Sequence, residues 1–186
     1  RVLFRSDWNL PFLFVQLPMY LADGEKDDSY WALQREQQYI ASMMIQNTGM
    51  ISLADCGEYD NIHPLDKKTP GERLFQLAKN LVYDKQGTIT ATAAQLFSDN
   101  GKLYVTFDHL HEKLVMQTAN GCPFEISGED NLFYPAKADV IHGNMLCISN
   151  PAVKFPSAVK YAWYNFGEAA LFTESGNPVS PFFKCV

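Results

Sequence analysis

Apolar residues run almost without a break through LPFLFVQLP (Leu10–Pro18), bounded by prolines, which predicts a strand buried on both faces. A polar loop, ADGEKDDS, follows, with Asp28 or Ser29 placed to cap a helix. From Tyr30 to Met44 the apolar positions Trp31, Leu33, Tyr39, Ile40, Met43 and Met44 recur at close to helical spacing. TGMISLAD (Thr48–Asp55) returns to a short strand. Thr69 and Pro70 then form a cap and first-turn proline for PGERLFQLAKNLVY, whose Leu74, Phe75, Leu77, Ala78, Leu81 and Val82 share one face. Strand, helix, strand, helix with short links predicts a parallel α/β sheet.

Near Gly87 the pattern changes. TITATAAQLFSDNGKLYVTFDHL places β-branched and aromatic residues around an SDNGK turn, a hairpin signal. The short segments KLVMQTA, PFEISG, NLFYPAKADVI, MLCIS and AVKYAWYNF follow, separated by Gly, Pro and Asn turns. This texture predicts an antiparallel β-sandwich. The expected domains are therefore 1–86, α/β, and 87–186, all-β.

Charge narrows the function class. The 186 residues carry a net charge of -6, with no basic run, which argues against a nucleic-acid groove. No apolar stretch reaches the roughly 18–20 residues of a membrane-spanning helix. The four cysteines, Cys56, Cys122, Cys147 and Cys185, form no C-x-x-C pair, so a zinc site of common spacing is not expected. Two disulfides are permitted but not demanded. The chain opens at Arg1 rather than Met, as expected of a processed product or a fragment.

The chemistry concentrates in DCGEYDNIHP, residues 55–64. An imidazole takes a proton from a hydroxyl nucleophile well when a carboxylate holds its other ring nitrogen. Asp60 and His63 are three residues apart in a loop that follows a strand, and Pro64 stiffens the backbone behind the histidine. The same spacing is common in solvated surface loops, so alone it is a weak signal.

Taken in order, LPFLFVQLP, WALQREQQ, TGMISLADCGEYDNIHP and KKTPGERLFQLA resemble the C-terminal part of the sialate O-acetylesterase family, serine esterases of the SGNH hydrolase group. The closing VKYAWYNFGEAALFTESGNPVSPF resembles that family's ending, with Lys160 where Arg is usual and Asn177 in place of Leu. The resemblance implies the C-terminal part of a flavodoxin-like SGNH domain followed by a β-sandwich. It implies His63 as general base and Asp60 as its orienting partner, acting without metal or organic cofactor. The implied reaction removes acetyl groups from sugar hydroxyls, sialic acid 9-O-acetyl foremost, through an acetyl-serine intermediate. A secreted, periplasmic or lysosomal setting goes with it.

One departure is large. The family's nucleophile lies upstream in a G-Q-S-N or G-D-S type segment, and this sequence contains no G-x-S. The expected partner is therefore the N-terminal part of the esterase domain, docking around Leu10–Pro18, besides the acetylated sugar. This chain alone is expected to be inactive or nearly so. The alternative is a non-catalytic carbohydrate-binding or assembly module centred on the β-sandwich.

Lesser candidates remain. His109, His111 and Glu112 in FDHLHE suggest a metal, but a solvated turn is the simpler reading. His142 reads as a loop residue. Arg35, Glu36 and Gln37 match a family pattern; for Glu36, a buried hydrogen-bonding role outweighs that of a second acid. Glu58 and Tyr59 flank the motif, and Trp31, Trp163 and Tyr164 are candidate sugar platforms for which core packing is the default.

Overall fold

The computed structural model describes residues 10–83 and 85–186; Arg1, and position 84 at the edge of the expected boundary, lie outside the described residues. Strand β1 (Phe12–Val15) pairs in parallel with β2 (Thr48–Ile51), Leu13 opposite Gly49. Helix α1 (Tyr30–Met44) connects them, and α2 (Lys68–Leu81) packs back on both strands. Gly49 is where α2 comes closest: a Cβ there would lie 2.4 Å from Leu81 Cδ1, so the missing side chain sets the helix–strand approach. Leu77, fully buried, joins Ile51 and Leu53 beneath the helix.

Both helix starts use aspartates. The backbone N–H of Tyr30 donates to Asp28 Oδ1 at 2.9 Å, while Ser29, in the left-handed region at φ 60°, makes no side-chain cap. For α2, Asp66 Oδ1 accepts the N–H groups of Lys68 and Thr69, each at 3.0 Å, so the helix begins before the expected Thr69–Pro70 start.

From residue 92 onward every strand pairing is antiparallel. Strands β3 (Thr92–Asp99), β4 (Lys102–Asp108), β8 (Lys137–Ile141) and β9 (Met145–Ser149) form a sheet in the order β3-β4-β9-β8. Strands β6 (Phe124–Ser127), β7 (Tyr134–Pro135), β10 (Ala158–Tyr161) and β12 (Phe182–Cys185) form another, β12-β10-β6-β7, and β5 (Leu114–Met116) pairs with β11 (Leu171–Thr173). Alternate residues point inward: Leu103 and Val105, Phe124 and Ile126, Leu146 and Ile148 belong to one buried cluster that also holds Met19 and Ala54. The β3–β4 turn is Asn100-Gly101, both at positive φ (48° and 75°), the two-residue hairpin that the NG dipeptide announces.

The expected flavodoxin-like α/β domain followed by a sandwich is corrected by this architecture. The described chain is mostly β, in several small antiparallel sheets, with two helices of 15 and 14 residues. A parallel sheet of that class needs several strands with helices over both faces. Here the parallel pairing stops at β1–β2: after α2 the chain enters β3, which pairs antiparallel with β4. Nor is β1 buried on both faces, since Phe12 is 51% exposed.

Residues 10–54 are tied to the later strands by buried polar groups. Gln16, fully buried just past β1, donates to Ser180 Oγ at 3.0 Å and to Arg35 O at 3.2 Å. Gln38 of α1 accepts from Leu17 N at 2.8 Å and donates to Val15 O at 3.3 Å. These amides satisfy the backbone where β1 ends.

Candidate functional site

The loop that follows β2 carries the candidate residues. Its first anchor is Asp55, held by a forked pair from Arg73 of α2: Nη1 to Oδ1 at 2.7 Å and Nη2 to Oδ2 at 2.6 Å. Arg73 Nη1 also donates to Ser52 O at 3.1 Å, so one guanidinium fastens the loop's root to the helix. Burial first, then the Asp55 charge, push the pKa of the Cys56 thiol beside it up to about 12, which disfavours the thiolate form.

Glu58 braces the next turn. Its Oε2 accepts from Asn61 Nδ2 and its Oε1 from the Leu65 N–H, both at 2.6 Å. Asn61 Oδ1 then accepts the His63 N–H at 3.1 Å. Once the carboxylate has claimed the amide's NH2, only the oxygen is left to face His63. Pro64, next in the chain, is buried, whereas the His63 side chain is exposed.

Asp60 sits at φ 55° on the same loop. Its N–H donates to Leu21 O and its Oδ1 accepts from Asp23 N, both at 2.9 Å. Tyr59 joins the same latch, its hydroxyl donating to Asp23 Oδ1 at 3.0 Å and its ring packing edge-on against Phe166. Among the described residues no hydrogen bond joins the Asp60 and His63 side chains to each other; the structure places them on one loop, each held through its own contacts. An exposed imidazole on a braced backbone, with a carboxylate on the same loop, is an arrangement open to proton transfer.

The other candidates separate clearly. Arg35 is buried (1% exposed) and donates through Nη2 to Tyr164 O; burial lowers its pKa to about 10, so it stays charged at neutral pH. Burial pushes the Glu36 carboxyl up, against the opposing charge of Lys184, and Glu36 Oε2 has no hydrogen-bond partner among the described residues. Gln37 is exposed. Trp163 is buried against Phe183, and the Tyr164 hydroxyl donates to Glu168 O. His142 sits in the β8–β9 turn at φ 52°.

His109 and His111 line a polar cleft of about 400 Å³ with Glu112. The Glu112 carboxylate is occupied by Ser175, accepting its N–H at 2.9 Å and its hydroxyl at 2.5 Å. Among the described residues there is no group of three or more His, Cys, Asp or Glu suited to a metal. All four cysteines are free thiols, and no described helix is long and apolar enough to cross a membrane.

Two groups escaped the sequence reading: Asn165, which ties the start of α1 to the β strands, and Arg73, which anchors the loop. Neither carries a spacing signal, because each acts on partners at least 17 residues away.

No family model matches the chain, and no curated protein matches it. Among solved structures, it is similar to the crystal structure of a carbohydrate acetylesterase from Xanthomonas citri, at 33% identity and a TM-score of 0.88. The match covers 98% of this chain and 43% of that one. Over nearly its whole length, then, the chain is similar to less than half of a carbohydrate acetylesterase.

Proposed function

We propose that this chain is part of a carbohydrate O-acetylesterase and supplies its general base, His63, with Asp60 as the orienting carboxylate. The similarity to a carbohydrate acetylesterase across 98% of the chain is the observation that carries the reading. The braced loop around His63 supports it. The nucleophile is a serine from a segment not in this sequence, and the N-terminal part of the esterase domain is the partner that brings it.

In this reading the serine hydroxyl attacks the acetyl carbonyl while His63 takes its proton. Collapse of the tetrahedral species breaks the bond to the sugar oxygen, and His63 returns the proton to that oxygen. Water then repeats the sequence on acetyl-serine, releasing acetate and the free serine. Asp60, whose Oδ1 is held by Asp23 N–H, has its Oδ2 left to bond the imidazole in the complete site and support its charged form. The resemblance favours sialic acid 9-O-acetyl as the substrate, and acetylated neutral sugars are its competitors.

Hydrolysis of an aryl acetate tests the reading. This chain alone should be silent, the complete protein active, and the complete protein with His63→Ala inactive. Activity that survives His63→Ala would sink it. Glycan binding by the complete protein without any esterase activity would favour the carbohydrate-binding module instead.

A further inference from the structure

A second feature adjoins the Asp60 loop. A cleft of about 470 Å³ is walled by Tyr20, Tyr30 and Trp31, with Glu25, Lys26 and Asp28 among its lining. Trp31 spends its polar edge inside the protein, Nε1 donating to Pro18 O at 2.6 Å, and packs against Tyr20 at 5.4 Å between ring centroids. Tyr30, the first residue of α1, is 58% exposed. Aromatic rings with charged side chains close by match a sugar, whose C–H faces pack on rings while its hydroxyls bond to carboxylates and ammonium groups.

The cleft is prebuilt. Asn165 accepts the Trp31 N–H at 2.8 Å and donates through Nδ2 to Asp28 Oδ1 at 3.0 Å. Its backbone completes the clamp, donating to Asp27 Oδ2 and accepting from Tyr20 N, both at 2.8 Å. A floor already ordered loses little freedom when a ligand arrives.

The cleft is also joined to the loop that carries the candidate base. Leu21 lines it, and the Leu21 carbonyl is the acceptor for Asp60 N–H. Charge narrows the ligand further. Glu25 and Asp28 outnumber Lys26 at the cleft, and Asp27, bonded to Asn165, Asp60, bonded to Leu21, and Asp23, bonded to Asp60, add negative charge alongside. Such a field repels a carboxylated sugar and leaves an uncharged one unopposed.

We propose that this cleft is the glycan subsite of the esterase and seats an uncharged sugar ring of its acetylated substrate. The assignment rests on the esterase reading above. It departs from the sialic acid that the resemblance favours.

Calorimetric titration of the complete protein with a panel of uncharged gluco-, xylo-, manno- and galacto-oligosaccharides tests it without requiring turnover. At least one should bind, and Tyr30→Ala, an exposed position, should weaken that binding tenfold or more. Oligogalacturonate, a carboxylated control, should bind at least tenfold more weakly, and Glu25→Lys should narrow the gap. In the kinetic arm, Tyr30→Ala should raise KM for an acetylated neutral sugar about tenfold more than it raises KM for an aryl acetate. No binding across the panel, equal binding of the carboxylated sugar, or indifference to Tyr30→Ala would overturn the subsite. Unchanged aryl acetate hydrolysis in His63→Ala would instead defeat the esterase reading, leaving the titrations to judge the cleft on their own.

Discussion

Glu58 Oε1 accepts the backbone N–H of Leu65 at 2.6 Å, closing a bridge around His63. Its other oxygen sets the Asn61 amide, which in turn bonds the His63 N–H. A carboxylate two places before Asp60 thus shapes the backbone that carries the candidate base.

Removing that brace should loosen the base without unfolding the protein. Glu58→Ala in the complete enzyme should lower kcat for ester hydrolysis by about tenfold to a hundredfold, because small misplacement of a catalytic group is costly. Glu58→Gln, which keeps one acceptor oxygen, should recover part of the loss. Thermal melting separates this from instability: a large fall in Tm alongside lost activity would refute a positioning role.

His63→Ala should reduce ester hydrolysis by about a thousandfold or more, and Asp60→Asn by less, since the base survives in the second variant. The order of the two losses is the measurement. An Asp60→Asn defect equal to that of His63→Ala would give Asp60 more than an orienting role.

Asn165→Ala should destabilise the fold by about 1–3 kcal/mol, because the part-buried Trp31 N–H loses its acceptor. Urea unfolding of wild type and variant reads this directly. A change under about 0.5 kcal/mol would mean that water replaces the amide at no cost.

Acid should weaken the protein through its capping and turn-forming carboxylates. Hydrogen bonds from Asn165 and the Tyr30 N–H hold Asp28 below its ordinary 3.8, and bonds from Thr69 do the same for Asp66. The Asn120 backbone and side chain hold Glu168 below 4.5. For a carboxylate whose folded pKa is depressed, the stabilisation is present above the unfolded value and disappears as pH falls through the folded one. Stability to urea should therefore fall below about pH 4, and Asp28→Asn should flatten that decline. An unchanged slope would show that these bonds contribute nothing net.

How much could be read from the chain alone depended on range. Helix α1 was legible from its apolar spacing, and the β3–β4 hairpin from Asn100-Gly101, because both signals lie within one element. The start of α2 was misread because Asp66 caps from outside the apolar pattern. The fold class failed for a larger reason: a strand–helix–strand run looks the same locally whether its sheet has two strands or five. Only the pairing of β3 with β4 rather than with β2 shows where the parallel sheet ends. Asp60 and His63 stood out by spacing and resemblance, whereas the brace from Glu58 and the anchor from Arg73 are three-dimensional facts.

Asp60 holds a left-handed backbone, φ 55°, which costs most side chains about 1 kcal/mol or more and is easiest for Gly, Asn and Asp. Of those three only aspartate carries a charge. Position 60 therefore behaves as a two-stage filter in a mutational scan. Survival of the folded protein should enrich Asp, Asn and Gly together, while survival of the reaction should retain Asp alone. The gap between the two enrichment profiles at this single codon would separate the demands of architecture from those of chemistry.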